Sequence, residues 1–245
     1  MLRTIRLTAA IVCFALITLL FLDFTGTLHT WFGWLAKIQF LPAVLALNIG
    51  VVLLLIVLTL LFGRIYCSVI CPLGVFQDAV SWISGKRKKN RFRYSPALRW
   101  LRYGVLTVFV IALVAGWNTF VILLAPYSAY GRMASSLLAP FWQWGNNLMA
   151  YFAERAESYA FYEVDMWMKS LSTLIIAIIT LVVLFILAWR NGRTYCNTIC
   201  PVGTILGFIS RYSIFKPVID TSKCNGCGLC ARNCKASCIL SLIHI

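Results

Sequence analysis

Nine of the ten cysteines lie in three short clusters, and thiolates are the ligands that iron–sulfur clusters and soft metal ions prefer. The C-terminal cluster has the spacing C-x2-C-x2-C-x3-C, which is typical of the bacterial ferredoxin sequence that holds a [4Fe–4S] cluster. A zinc site more often uses two C-x2-C pairs that are far apart in the sequence. We therefore predict a [4Fe–4S] cluster bound by four cysteines: Cys224, Cys227, Cys230 and Cys234.

Two features of this ferredoxin motif differ from the usual pattern. Lys235 follows the fourth cysteine where proline is usual, and Cys238 lies three residues further on. The fourth cysteine of such a motif normally binds a second cluster, but no second motif precedes Ile245. The fourth ligand of the cluster therefore stays open between Cys234, Cys238, a distant cysteine and a partner chain. We expect that the natural protein is longer than this chain, or that another polypeptide completes the domain.

The other two cysteine clusters form an internal repeat. Residues 63–74 read GRIYCSVICPLG and residues 192–203 read GRTYCNTICPVG, so that eight of the twelve positions are identical. Each copy follows a long apolar segment, which indicates a chain built from two hairpins that each end in a cysteine loop. Repeated membrane proteins often place their functional sites where the repeats meet. The sequence therefore predicts that four thiols meet at the membrane surface: Cys67, Cys71, Cys196 and Cys200.

The residue types alone leave the chemistry of these four thiols open. Four thiolates can bind an iron–sulfur cluster or a tetrahedral zinc ion, or they can act as two redox-active dithiols or serve structure alone. Within each loop we expect glycine to end a helix and proline to begin the next. The arginine is expected to reach the lipid headgroups, and the tyrosine to lie in the aromatic belt at the membrane interface.

The composition identifies the kind of protein that must position these cysteines. Hydrophobic residues make up 61% of the 245-residue chain, charged residues 12%, and the mean hydropathy is +0.86. Such a composition excludes a soluble globular domain and a disordered chain. We predict an all-α membrane protein with four transmembrane helices, arranged in two hairpins, and a small C-terminal ferredoxin-like half domain. The predicted spans are Leu7–Phe24, Ile38–Phe62, Tyr103–Leu124 and Leu171–Trp189.

The distribution of basic residues predicts the orientation of these spans. Four alternating spans put 18 of the 22 lysines and arginines on the side that holds both termini, and the other four on the opposite side. Because cytoplasmic loops carry the excess of basic residues, the termini and the cysteine loops are assigned to the cytoplasmic side of the inner membrane. A stable disulfide is then disfavoured, since that compartment is reducing. The net charge of +15 is attributed to topology and anionic lipid, and not to nucleic acid.

The predicted domains follow the repeat. The first hairpin, its cysteine loop and a basic segment occupy residues 1–102. The second hairpin, with a long external loop and its cysteine loop, occupies residues 103–215, and the ferredoxin-like segment, which we expect to be incomplete, occupies residues 216–245. Within the external loop, Ser135–Ala153 is expected to form an apolar-rich helix at the membrane interface or re-entering it.

The combination of GRxYCxxxCPxG loops after apolar spans with a ferredoxin motif resembles the NapH/NosR-type membrane polyferredoxins and the related CcoG-type proteins of cytochrome oxidase assembly. The resemblance runs from the second span through Cys238. It implies a cytoplasmic-membrane iron–sulfur protein that passes electrons between the quinone pool, or a flavoprotein, and another redox protein. The family usually carries two ferredoxin motifs, whereas this chain has one.

Three function classes are compatible with these patterns. The first is an electron-transfer subunit of an oxidoreductase, in which the protein sets the potential of a bound cluster. The second is a metal-handling or assembly factor, in which the paired cysteines reduce or relay a metal such as copper. A zinc-stabilised scaffold is a third alternative. No nucleophile–base pair and no phosphate-binding loop is present in the sequence, so a self-contained hydrolase or transferase is unsupported.

Overall fold

The computed structural model describes residues 2–23, 25–87, 98–155, 162–164, 170–215, 222, 227 and 230. Within these residues the chain is helical and contains no strand, which confirms the all-α prediction for the part of the chain that is described. The α-helices are α1 (Leu2–Leu22), α2 (Thr27–Phe32), α3 (Trp34–Lys37), α4 (Phe40–Leu45), α5 (Ile49–Phe62), α6 (Ile65–Val69), α7 (Pro72–Arg87), α8 (Arg99–Val114), α9 (Asn118–Leu124), α10 (Pro126–Met133), α11 (Ala139–Arg155), α12 (Leu171–Asn191), α13 (Thr194–Thr198) and α14 (Pro201–Ile209).

Two of these helices are long and apolar enough to cross a membrane. They cover Thr4–Leu22 in α1 and Leu171–Arg190 in α12, which overlap the first and last predicted spans. Large apolar side chains along α12 face outward; Leu171 and Ile179, for example, are 71% and 56% exposed. An apolar surface of this extent needs a lipid or protein environment. The chain therefore associates with a membrane.

The second predicted span, Ile38–Phe62, is wrong as a single crossing helix. A straight helix of that length would separate its ends by about 37 Å. Instead the two ends meet, because the Tyr66 hydroxyl donates to Gln39 Oε1 at 2.8 Å and accepts from the Phe40 amide at 3.1 Å. The helix is broken after α4, where Leu47 takes a left-handed backbone conformation with φ of 52°. Apolar length alone does not reveal such a break.

The third predicted span, Tyr103–Leu124, is broken in the same way. Helix α8 ends at Val114, Gly116 has φ of 74°, and α9 begins at Asn118. The Trp117 amide donates to the Ala112 carbonyl at 2.8 Å, and the corresponding bond after α4 joins Asn48 to Ala43 at 2.9 Å. Both breaks are Schellman turns, which close a helix by satisfying its last carbonyls. The described chain thus has two helices of membrane-spanning length where four were predicted.

The predicted helix Ser135–Ala153 is confirmed as helical structure. A short π-helical turn, Ala134–Leu138, leads directly into α11, and the helix continues to Arg155. The hydrophobic core of the described residues gathers around the cysteine loops. It joins Ile17 of α1, Phe40 of α4, Leu73 of α7 and Leu184 of α12 to the four loop cysteines. The helices therefore pack so that the cysteines lie inside the bundle.

Candidate functional site: a buried cysteine quartet

The two cysteine loops have the same local structure. Gly63 and Gly192 directly follow α5 and α12 as their C-caps, and their φ angles are 69° and 70°. L-residues rarely adopt this region, which explains why glycine occurs at this position in both copies. The short helices α6 and α13 follow and carry the first cysteine of each pair. Each second cysteine precedes the proline that begins α7 or α14, so the predicted roles of glycine and proline are confirmed.

The last glycine of each copy has a role that sequence analysis did not assign. A Cβ atom on Gly74 would lie 1.9 Å from the Cys67 carbonyl oxygen, and one on Gly203 would lie 2.2 Å from the Cys196 carbonyl oxygen. Both distances are far below van der Waals contact. These glycines therefore allow the first turn of α7 and α14 to pack directly on the backbone of the preceding loop. Their recurrence in the repeat was the available signal.

The four loop thiols form one buried group, which we call the cysteine quartet (Cys67, Cys71, Cys196 and Cys200). Each cysteine is at most 5% exposed. Burial raises the pKa of all four thiols, and charge on neighbouring quartet members raises it further for Cys71, Cys196 and Cys200. The pKa of Cys196 reaches about 12. The structure thus brings thiols of the two repeats near one another, and without a bound cation they are uncharged at neutral pH.

The quartet does not have the arrangement of a site for one metal ion. Among the described residues, no three cysteine, histidine or acidic side chains are placed to hold a single ion. A tetrahedral zinc site needs four ligand atoms about 2–2.3 Å from one point. In a [4Fe–4S] cluster each thiolate binds a different iron atom, so its ligands are spread around a larger object. The ligand types and their number fit that cluster.

Hydrogen-bond donors surround the quartet sulfurs. The Gly203 amide donates to Cys200 Sγ at 3.4 Å, which makes the thiol a cap for α14. Backbone amides of Leu73 and Gly74 act on Cys71 in the direction that lowers the pKa of its thiol, and the Gly74 amide donates to the Cys71 carbonyl at 3.1 Å. N–H groups directed at sulfur stabilise a thiolate or a bound cluster and influence its potential.

Gln77 adds a side-chain donor to the same site. Its side chain is fully buried, and Nε2 donates to Cys196 Sγ at 3.3 Å. The Oε1 atom of Gln77 has no hydrogen-bond partner among the described residues. The second repeat has Leu206 at the equivalent position, so the first repeat alone supplies this donor. Sequence analysis did not identify Gln77.

Both repeat arginines contact residues of the opposite copy, whereas the sequence predicted contacts with lipid headgroups. Arg193 donates from Nε and Nη2 to the two carboxylate oxygens of Asp78 at 2.7 and 2.5 Å. Arg64 Nη1 donates to Asn197 Oδ1 at 2.7 Å. Although burial lowers the pKa of Arg193, Asp78 outweighs it and raises the pKa above its ordinary value. Each arginine therefore fastens its own loop to the other repeat.

The repeat tyrosines also lie inside the bundle, so their predicted place in the aromatic belt is wrong. Tyr66 is 1% exposed and its hydroxyl binds Gln39 and Phe40 as described above, while Tyr195 is 9% exposed. Burial raises the pKa of both phenols, and charge on the nearby quartet cysteines raises it further. Both tyrosines therefore line the quartet site.

The ferredoxin motif lies mostly outside the described residues, including Cys224, Cys234 and Cys238. Cys227 and Cys230 are exposed. The segment before the motif is fixed to the end of α5, because the Ile214 and Phe215 amides donate to the Leu60 and Leu61 carbonyls at 2.8 and 3.0 Å. Phe215 also stacks on Phe62, with ring centroids 5.6 Å apart. Phe215, nine residues before the motif in the sequence, therefore lies beside the end of α5, which the first cysteine loop follows.

Comparisons with known proteins agree with this arrangement. One family profile, described as a 4Fe-4S binding domain, matches residues 44–90 and 172–220, which contain the two cysteine loops. A second profile with the same description matches residues 217–240, which contain the ferredoxin motif. The ferredoxin-type protein NapH of Haemophilus influenzae is 26% identical over 83% of this chain. The chain is thus similar to NapH-type ferredoxin proteins over most of its length. It carries at least one [4Fe–4S] cluster.

Other NapH-type relatives show the same extent of similarity. NapH of Escherichia coli is 25% identical over 79% of this chain, and the methylamine utilization ferredoxin-type protein MauN of Methylobacillus flagellatus is 26% identical over 70%. The match covers 55% of the Escherichia NapH, 48% of MauN and 58% of the Haemophilus NapH. The chain thus spans about half the length of the curated relatives it matches. No solved structure matches it.

Proposed function

We propose that this chain is a membrane electron carrier with two iron–sulfur centres, one at the ferredoxin motif and one at the buried cysteine quartet. The ferredoxin cluster would be bound by Cys224, Cys227 and Cys230, with Cys234 or Cys238 as the fourth ligand. The observation that carries the proposal is the convergence of four buried thiols from two equivalent loops. Among them, Cys200 accepts from the Gly203 amide and Cys196 accepts from Gln77 Nε2. A bound cluster would supply one-electron transfer at a potential set by this surrounding.

The burial of the quartet favours a cluster over redox-active dithiols. Dithiol chemistry needs a thiolate that is accessible and has a lowered pKa. Here all four thiols are at most 5% exposed, and burial raises their pKa. The same burial hinders a copper relay, since a metal ion must enter and leave such a site. A permanently held cluster does not require access.

The proposed topology follows the charge distribution. The quartet lies beyond the C-terminal end of α12, next to a segment rich in arginine, so we place it and both termini on the cytoplasmic side of a multi-pass inner-membrane protein. The repeat contacts support residues 1–102 and 103–215 as two halves of one bundle, followed by the ferredoxin-like segment 216–245. A basic cytoplasmic surface would dock an acidic redox partner.

A quinone is the membrane-soluble redox partner that the structure suits best. A cavity of about 450 Å³ lies between the end of α1 and α11, and Leu19, Phe141, Trp142 and Met149 are among its lining residues. That volume and its apolar lining fit a small lipid-soluble ligand. Asp23 also lines the cavity, but its carboxylate accepts from the Thr25, Gly26 and His29 amides and so serves to begin α2. A flavoprotein remains the alternative donor.

The test of the proposed function is the composition of the purified full chain. We expect anaerobically isolated protein to be brown, to contain about eight irons and eight labile sulfides per chain, and to bleach with dithionite. A quinol analogue should reduce the centres if the quinone proposal holds. About four irons would remove the quartet from the proposal, and a colourless protein without labile sulfide would contradict it altogether.

Replacing Gln77 by leucine should lower the reduction potential of the quartet centre. The Gln77 amide donates to Cys196 Sγ, and a donor to sulfur stabilises the more negative, reduced state. Loss of a hydrogen bond worth about 1 kcal/mol corresponds to a shift of about 40 mV for one electron. Leucine gives this position the residue that the second repeat already has. A redox titration followed by electron paramagnetic resonance measures the shift, and Gln143→Leu, the same change at a half-buried position of α11, serves as the control. An unchanged potential would mean that Gln77 does not act on the centre.

A further inference from the structure

The two repeats differ at one charged contact on the helix that follows each cysteine loop. In the first copy Asp78 on α7 binds Arg193 of the second copy. In the second copy the equivalent position on α14 is Gly207, and Arg64 of the first copy lies over it. The arginine is therefore kept in both copies, whereas the carboxylate that neutralises it is present in only one.

A second guanidinium lies at the same place. A Cβ atom on Gly207 would be 2.3 Å from Arg64 Nη2 and 2.6 Å from Arg102 Nη2, so the two nitrogens are at most about 4.9 Å apart. Arg102 Nη2 donates to the Thr204 carbonyl at 3.2 Å, and Arg102 Nε is buried without a hydrogen-bond partner among the described residues. Two cations thus share one small space over a buried glycine.

No carboxylate neutralises this pair within the described residues. Among the described residues, the ion pair between the two repeats joins Arg193 to Asp78. Arg64 and Arg102 have no acidic partner among these residues. Burial lowers the pKa of Arg102, and the charges of Arg64 and Arg211 lower it further. Like charges held this close repel one another unless an anion lies between them.

We propose that Arg64 and Arg102, together over Gly207, bind a phosphate group from a lipid headgroup or from solution, which takes the place that Asp78 fills in the first repeat. Paired guanidinium groups are well suited to phosphate, because they offer several donors in a planar fork. Arg64 follows the end of α5 and Arg102 lies in the first turn of α8, so the site is at helix ends, where an anionic headgroup can be reached.

The test titrates phosphatidylglycerol, phosphatidylcholine and inorganic phosphate separately into the full chain in a neutral detergent. Binding is read by native mass spectrometry and by the thermal unfolding midpoint. Phosphatidylglycerol should bind the wild type and Arg102→Gln about tenfold more weakly, whereas Arg99→Gln should bind like the wild type. Arg99 lies on the same helix, is exposed and carries the same charge, so it is a matched control. Equal affinity of the two variants would overturn the proposal.

A second pair of variants tests whether a carboxylate can replace the proposed ligand. Gly207→Asp should supply the missing carboxylate, raise the unfolding midpoint of lipid-free protein above that of Gly207→Asn, and abolish the response to phosphatidylglycerol. The atoms that meet the new side chain are the flexible ends of two arginines, which can move aside. Competition by inorganic phosphate would identify free phosphate as a sufficient ligand, and its failure to compete would identify the headgroup. A Gly207→Asp variant no more stable than Gly207→Asn would contradict the site.

Discussion

Replacing Cys196 by alanine removes about four irons and four labile sulfides from each chain, while the cluster of the ferredoxin motif remains. This result is expected because the variant removes one of four ligands from a buried centre. Water cannot readily substitute at a cysteine that is 5% exposed and enclosed by the core. The measurement is iron and labile sulfide per chain, with electron paramagnetic resonance of the reduced protein to count the centres.

Two further variants make this result specific to the quartet. Cys13→Ala is the control, because Cys13 lies alone on α1, outside the three cysteine clusters, and its loss should leave the iron content unchanged. Cys227→Ala should instead remove the ferredoxin cluster and leave the quartet signal in place. If Cys196→Ala keeps the full iron content and both signals, the quartet does not hold a cluster.

The local structure of the cysteine loops could be predicted from the sequence because it depends on neighbouring residues. Gly63 and Gly192 end helices through a backbone conformation that their own residue type permits, and Pro72 and Pro201 begin helices for a similarly local reason. The repeat then indicated that the two loops act together. These properties do not require knowledge of which distant residues pack nearby.

The contacts of the site could not be predicted, since they join residues far apart in the chain. Arg193 and Asp78 are 115 positions apart, and Gln77 and Cys196 are 119 apart. A single arginine or tyrosine near an apolar span is compatible with the membrane interface, so hydropathy assigned Arg64 and Tyr66 to that surface. In the structure Tyr66 lies inside the bundle and the part-buried Arg64 contacts the second repeat, and each satisfies a polar group of another element.

The prediction of the second and third spans as continuous helices failed for a related reason. Leu47 adopts a left-handed conformation with φ of 52°, although its residue type gives no signal for such a turn. At Gly116 a signal existed, but one glycine within an apolar segment is common in membrane helices. A hydropathy window measures apolar length and not helix continuity, so it merged α4 with α5 and α8 with α9.

Replacing Gly74 by alanine should destabilise the protein by about 3 kcal/mol and release iron from the quartet centre. The new Cβ atom would lie 1.9 Å from the carbonyl oxygen of Cys67. That oxygen belongs to the backbone of α6 and cannot move without displacing the cysteine itself. Gly203→Ala meets the Cys196 carbonyl oxygen at 2.2 Å and should have the same consequence in the second repeat. Thermal unfolding and iron content measure both effects.

Gly104→Ala is the matched control for these variants, because the same methyl group is added to a helix where no atom lies within 4 Å. Alanine favours a helix over glycine by about 0.5–1 kcal/mol, so this variant should be as stable as the wild type or slightly more stable, with full iron content. The comparison separates steric conflict at the cysteine loops from any general effect of alanine. Wild-type stability in Gly74→Ala would show that α7 does not pack on the loop backbone, and the geometry proposed for the quartet would then fail with it.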